Sequence, residues 1–408
     1  MTLAALAWRN LWRRPQRTAL SLASIAFTSA LLVFALSYQL AVYDLMKESS
    51  LRIFDGFAQL QPLGYADDPA IDHALDNPVR LESEALALPG IRTAAARVAG
   101  FAILTHGERS YGAAVAGVDP QAEPRVSSFA RTIRAGRYLE SGDTDAAVIG
   151  AALARNLGLG VGERVTLFGL ARDGSIAADA LQVVGVYETG VPELDRSLLE
   201  MPIARAQETF AMEERVNVIA LGGPSLEAVD RELPRLDALA RREGVEALGW
   251  TRLEPAMYAA LALKYATSVL FYLTLIVVVA FIILNTLLMS VLERTREFAV
   301  LLALGLRPRA IGLLVWTELL ALSLLGCAIG IAAGAAATLW LEQRGVAIPG
   351  LESLLAQFGL PPRLYPSLSW LSATAGPAAI VAAIVVGGLV PWLRVSRLTA
   401  ASALRTSA

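Results

Sequence analysis

The sequence predicts an α-helical membrane protein with four transmembrane helices and a large α+β extracytoplasmic domain inserted between helices 1 and 2. Three observations predict it. Of the 408 residues, 55% are hydrophobic, and the mean hydropathy of +0.52 is too high for an ordinary soluble chain. The apolar residues are gathered into four long runs instead of being spread evenly. Between the first and second runs, Gly, Pro, Asp and Arg recur and apolar stretches shorten to strand length.

Residues 1–17 read as a cytoplasmic amphipathic segment, carrying Arg9, Arg13, Arg14 and Arg17. Transmembrane helix 1 is placed at 18–43, because no charge falls between Arg17 and Asp44. That run exceeds the ~30 Å hydrocarbon core at ~1.5 Å per residue. It is also longer than the ~7–15 apolar residues of a cleaved signal peptide, so a retained anchor is expected. The extracytoplasmic α+β domain is placed at 44–264. Within it, "GFAQLQP" alternates as a strand and "VRLESEALALPG" reads as a helix stopped by Pro89 and Gly90. "FAILTHGERSYGAAVAGV" reads as a hairpin turning at His106-Gly107. "DAAVIGAALARNLGLGVGERVTLFG" reads as strand, helix, Gly-rich turn and strand, and "SLEAVDRELPRLDALARREG" as a helix before the strand "VEALGW". The expected picture is two strand–helix–strand parts flanking a β-rich insertion.

Transmembrane helix 2 is placed at 265–292, a cytoplasmic helix at 293–309, transmembrane helix 3 at 310–341, an extracytoplasmic loop at 342–369, transmembrane helix 4 at 370–393 and a cytoplasmic tail at 394–408. Arginines set the orientation. Those before the first run, Arg294, Arg296, Arg307 and Arg309 after the second, and Arg394, Arg397 and Arg405 after the fourth all fall on one side if there are four spans. Both termini are therefore expected in the cytoplasm.

Composition also excludes functions. The net charge of -2 gives no electrostatic case for nucleic acid. Cys327 is the single cysteine, so no intrachain disulfide can form, and it reads as a small buried hydrophobe. His73 and His106 lie far from it, without a zinc-ligand cluster. Gly158, Gly160 and Gly162 follow a helix and lead into a strand, the reverse of a dinucleotide fingerprint, and no stretch matches a P-loop. No triad or metal cluster is evident, and Asp67-Asp68 reads as a solvated loop. The chain is expected to be no enzyme and to bind no cofactor itself.

"ERTREFAVLLALGLRPRAI" resembles the cytoplasmic loop of FtsX/MacB-type ABC transporter permeases, which lies after the second transmembrane helix and touches a separate ATPase. "AWRNLWRRPQRTAL" is similar to that family's N-terminal segment, "IRAGRYLESGDTDAAVIGAALARNLGLGVGERVTL" to its external-domain motif and "PWLRVSRLTAASALR" to its tail. "GFAQLQPLGY" looks most like the LolC/LolE-like lipoprotein-releasing branch. The resemblance implies a permease in the bacterial inner membrane with a periplasmic domain. It implies an ABC ATPase subunit that binds ATP and Mg, a second permease copy or paralogue, a periplasmic partner protein, and a lipophilic substrate such as a lipoprotein or lipid. The alternatives are an FtsX-like scaffold that activates an extracytoplasmic hydrolase without moving substrate, and a sensor partnering a histidine kinase.

The residues expected to carry this role follow from helical spacing. If 293–304 is helical, Phe298, Leu301, Leu302 and Gly305 share a face, and Glu293, Arg294, Arg296 and Glu297 cluster in the first turn. Gly305 is placed to cap it and Pro308 to prevent its continuation. Such a helix suits a cleft on a soluble partner or the inner-leaflet surface. The resemblance selects the partner, with Phe298 as the expected anchor. Gly326, Gly330 and Gly334 form a ladder that permits close helix approach, within the chain or across a dimer, with alanine expected to be mild at Gly330. Glu318 is an intramembrane acid expected to snorkel or pair with an arginine, with a proton relay as the other reading. "LESLLAQFGLPP" reads as an interfacial helix.

Overall fold

The computed structural model describes residues 15–293, 305–347, 349–350, 362–389 and 392–393, together with positions 298, 300 and 302. The chain divides into two compact units, Asp44–Ala259 with Ile348–Pro362, and Met1–Tyr43 with Ala260–Ala347 and Arg363–Ala408.

The first of these units is built on one sheet of ten strands: β1 (Ala58–Pro62), β2 (Thr93–His106), β3 (Arg109–Val118), β4 (Ile133–Gly136), β5 (Ala146–Gly150), β6 (Arg164–Leu170), β7 (Ile176–Tyr187), β8 (Leu198–Pro202), β9 (Val218–Gly222) and β10 (Val245–Gly249). Their order is β10-β1-β9-β2-β3-β8-β5-β7-β4, with β6 paired to both β2 and β7. The expected separate parts are thus one continuous sheet. The joining element is the 14-residue β2, which pairs with β9 through residues 93–97 and with β3 and β6 further on. The hairpin turn at Gly107 and the strand–helix–turn–strand over 146–170 are present. In that turn Gly158 caps its helix at φ 72°, a left-handed conformation that an L side chain resists.

Alternation explains which faces are inside. In β7, Ala177, Asp179, Leu181, Val183 and Tyr187 point inward at every second position. The buried Asp179 is accommodated because Arg205 donates to both its oxygens at 2.8 and 2.7 Å and Thr209 donates at 2.8 Å. The helix Leu226–Glu243 lays Leu226, Val229, Leu236 and Ala240 on the core, starting at a Ser225 cap. Asp67 and Asp68 are exposed.

Among the described residues, four helices are long and apolar enough to cross a membrane, Thr18–Ile53, Pro255–Asn285, Pro308–Arg344 and Trp370–Gly387. As structural elements they are α1 (Pro15–Ile53), α2 (Pro255–Glu293), α3 (Pro308–Arg344) and α4 (Trp370–Gly387), labelled here in the order of the chain's long apolar helices. α1 and α2 outrun their apolar segments. α1 continues through Asp44, Lys47, Glu48 and Arg52 to Ile53, and α2 begins ten residues before Tyr265, at Pro255. Hydropathy ends where charge begins, but helical hydrogen bonding continues until something stops it. For α1 the stop is Gly56, at φ 77°, whose N–H donates to the Leu51 carbonyl at 2.8 Å. Each helix has 39 residues, so each is about 58 Å long against a hydrocarbon core of ~30 Å. Pro308 opens α3, where a missing N–H is harmless, and a Ser369/Ser372 capping box opens α4. The expected interfacial helix at 351–361 and the tail from 394 lie outside the described residues.

Candidate functional site at the helix roots and in the membrane unit

Within the sheet unit, the end of α1 is built into the domain by several different contacts. Leu51 is part of the main apolar core, while Ile53 and Phe54 join Phe129, Tyr187 and Leu198 in a second cluster. Glu48 accepts a hydrogen bond at 3.0 Å from the N–H of Leu226, the first residue of the long domain helix, so it works as an added cap. The Lys47 ammonium lies 5.6 Å from the centre of the Trp250 ring.

Beneath Phe54 sits a buried charge network. The Arg97 guanidinium grips Glu123 with two bonds, Nε to Oε2 at 2.9 Å and Nη2 to Oε1 at 2.7 Å. It also donates to the Phe54 carbonyl at 2.6 Å and lies over the Phe54 ring at 4.2 Å. One side chain thus ties β2 to the end of α1. Glu200, on β8, is fully enclosed. Tyr138 donates to its Oε2 at 2.8 Å, and its Oε1 has no partner. Burial, helped by the nearby Glu123 charge, pushes the Glu200 carboxyl up to about 8, against the opposing influence of Tyr138 and Arg97.

A second acid pair lies alongside. Asp55 is the second residue past the end of α1, Glu254 is the last before α2, and the two acids influence each other electrostatically. Burial raises Asp55 against the pull of Arg97. Glu254 is raised to about 7, by burial first and then by Asp55 and Glu193. None of these acids stood out in the sequence reading. The available signal was a lone charge inside an apolar strand, Arg97 in "TAAARVAG" and Glu200 in "LLEMP".

In the membrane unit the glycine ladder packs α3 against α1 of the same chain. A Cβ on Gly326 would lie 2.7 Å from Ile25 Cγ2, one on Gly330 2.4 Å from Ser29 Cβ, and one on Gly334 2.8 Å from the Ala30 carbonyl oxygen. Ser29 donates across this contact to the Cys327 carbonyl at 3.4 Å. Of the two expected uses of the ladder, packing within the chain is the one observed. Alanine at Gly330 is not the mild change expected, because the helices already touch backbone to side chain. Cys327 is buried, with its Sγ 3.7 Å from the Pro377 carbonyl. Glu318 is half-buried on α3.

The charged segment is described only in part. Glu293 ends α2, while Arg294, Arg296, Glu297 and Leu301 lie outside the described residues. Leu302 is half-buried. Phe298 is only 1% exposed, so the ring expected to anchor a partner is enclosed by this chain instead. Val300, two positions on, is 59% exposed. Equal helical spacing makes several faces apolar, and packing decides which one turns inward. Gly305 has φ 92° and its N–H donates to Leu302 at 3.0 Å, just before Pro308 opens α3. Among the described residues no group of three or more His, Cys, Asp or Glu could hold a metal ion.

Comparison with known proteins connects both regions to described families. The MacB-like periplasmic core domain matches residues 18–236, more than half of the chain, and the FtsX-like permease C-terminal matches residues 269–400. The chain is similar to the lipoprotein-releasing system transmembrane protein LolC of Neisseria meningitidis serogroup B, with 26% identity over 95% of this chain and 94% of that one. It is also similar to the lipoprotein-releasing system transmembrane protein LolE of Haemophilus influenzae, with 25% identity over 93% of this chain and 92% of that one. Among solved structures, the periplasmic region of MacB from Actinobacillus actinomycetemcomitans is 13% identical, with a TM-score of 0.36, over 51% of this chain and 95% of that one.

Proposed function

The chain belongs to the family of permeases with a MacB-like periplasmic core domain and an FtsX-like C-terminal region, and from that premise we propose that it is the membrane subunit of an ABC transporter. In this reading it sits in the bacterial inner membrane with its sheet domain in the periplasm and both termini in the cytoplasm. It pairs with a second permease and with a separate ATPase that binds ATP and Mg. Similarity to LolC and LolE along most of the chain supports a lipoprotein or another lipophilic substrate.

The observation that carries the reading is the continuity of α1 and α2. Each is one unbroken helix of 39 residues, roughly twice as long as a bilayer core requires. A helix transmits displacement along its axis because its hydrogen bonds lie parallel to that axis. ATP binding by the partner would move the segment after α2, and the helices would carry that motion to their roots at Asp55 and Glu254. The sheet domain would then grip or release substrate. This chain supplies stiffness, anchoring and a docking surface; the chemistry of hydrolysis belongs to the partner.

The docking surface is tested at Val300, an exposed apolar residue of the segment. Val300→Asp should abolish co-purification of the co-expressed ATPase and stimulated ATP hydrolysis, since a carboxylate in an apolar contact is desolvated and unpaired. The melting curve of the permease alone should be unchanged. Full ATPase recovery with normal lipoprotein release would remove this segment from the coupling role.

A further inference from the structure

Another polar site in the sheet unit is an open cleft of about 500 Å³. Arg134 lines it from β4, Arg155 from the helix Ala151–Leu157 and Arg196 from the helix Pro192–Ser197. Ala151, Ala152 and Gly190 between them add little bulk, which leaves the guanidiniums room to converge. Other arginines of this unit are committed: Arg137, Arg164 and Arg205 each hold an aspartate at 2.7 Å. In the cleft, Arg134 reaches Glu188 only at 3.4 Å. Among the described residues, Arg155 and Arg196 have no carboxylate partner. The other acid here, Asp195, is buried. Its carboxylate accepts from the Thr189 N–H at 2.7 Å, the Thr189 hydroxyl at 2.8 Å and the Gly190 N–H at 3.2 Å. The three guanidiniums are thus a set of donors without an anion to receive them. The floor beneath them is rigid. Tyr187 donates to the Leu194 and Leu198 carbonyls at 3.0 and 2.6 Å, and Gly150 has no room for a Cβ against the Asp195 carbonyl.

We propose that this cleft binds a phosphate monoester, carried either by a lipid headgroup or by a small water-soluble molecule, and that Arg134, Arg155 and Arg196 hold it. A phosphate monoester carries a charge of about −1.5 to −2 at neutral pH and presents three acceptor oxygens. Those oxygens point in separate directions, which suits guanidiniums supplied by three different elements. A lone carboxylate is planar and is satisfied by one fork. The size fits too. Small-ligand sites typically enclose about 300–1,000 Å³, so this cleft takes the phosphate with a glycerol- or sugar-sized remainder. Val191 and Leu194, beside and within the floor helix, pack in the same apolar cluster as Ile53 and Phe54. A bound phosphate therefore touches the element on which the end of α1 rests. The site goes beyond the transport reading and depends only on the geometry of the sheet unit.

Calorimetric titration of the full chain in an uncharged detergent tests this without any partner. The titrants are glycerol 3-phosphate and dihexanoyl phosphatidic acid, with dihexanoyl phosphatidylcholine as the blank. Saturable binding with a Kd of about 1 mM or tighter is expected, weakening as salt is added. Arg155→Gln and Arg196→Gln should each weaken it at least about fivefold, the loss of one charge-assisted contact. Their melting temperatures should not change, because both side chains are exposed. Arg92→Gln makes the same charge change at an exposed residue just before β2 and should bind like the wild type. Equal affinity for the two esters assigns the phosphate alone as the ligand; clearly tighter binding of phosphatidic acid assigns a lipid headgroup. The proposal is overturned if neither ester binds saturably, or if both glutamine variants keep wild-type affinity. It is also overturned if Arg92→Gln weakens binding as much as they do, or if hexaglutamate binds more tightly than either ester. Each of these results would leave the ATPase-docking test at Val300 untouched.

Discussion

Gly330→Ala adds a single methyl group where α1 and α3 meet. That methyl would sit 2.4 Å from Ser29 Cβ and 2.6 Å from the Ala26 carbonyl oxygen. Ordinary carbon contacts lie near ~3.5–4.0 Å, so the helices must part by about 1 Å or more. The carbonyl is backbone and cannot rotate away. Separation would also pull the Ser29–Cys327 hydrogen bond, already 3.4 Å long, out of range, and open the contacts at Gly326 and Gly334. Overpacking of this kind typically costs about 1–3 kcal/mol. In a thermal melt of the purified full chain this should appear as a loss of roughly 3–10 °C. Ser29→Gly, which removes the nearer obstacle, should restore part of that loss when combined with Gly330→Ala. Gly142→Ala is the control, since a Cβ there meets nothing within 4 Å. An unchanged melting temperature in Gly330→Ala, or no recovery in the double variant, would refute the close approach of these two helices.

Two further outcomes are expected. Phe298→Asp should lower the melting temperature of the permease itself, because the ring is enclosed by the chain; loss of the ATPase with an unaltered melt would instead restore Phe298 as a partner contact. Glu200→Gln should flatten the pH dependence of stability. The wild-type protein loses stability as pH rises from the ordinary carboxylate range through about 8, because its folded state holds the Glu200 proton that the unfolded chain releases. The variant should therefore match the wild type near pH 5 and exceed it near pH 9, and melting curves that run parallel across that range would rule Glu200 out as the titrating group.

Much of this protein was legible in residues alone. Four long apolar runs, three of them free of charge, the turn at Gly107 and the helix after Ser225 are local patterns, set by backbone hydrogen bonding and by which side chains avoid water. The family resemblance was local too, carried by short motifs at both ends and in the middle of the chain. The ladder of Gly326, Gly330 and Gly334 announced a close contact but not its partner, since spacing describes one helix and packing needs two. Only tertiary structure decided that α1 fills that role. It also decided that Phe298 turns inward while Val300 stays exposed, a choice between faces that the helical period leaves open. The acids at the helix roots were hidden most completely. Asp55 and Glu254 are 199 positions apart, and Arg97, Glu123 and Glu200 come from three separate elements. Each looked like an ordinary charge in its own neighbourhood, and only folding removed the water that would have kept it so.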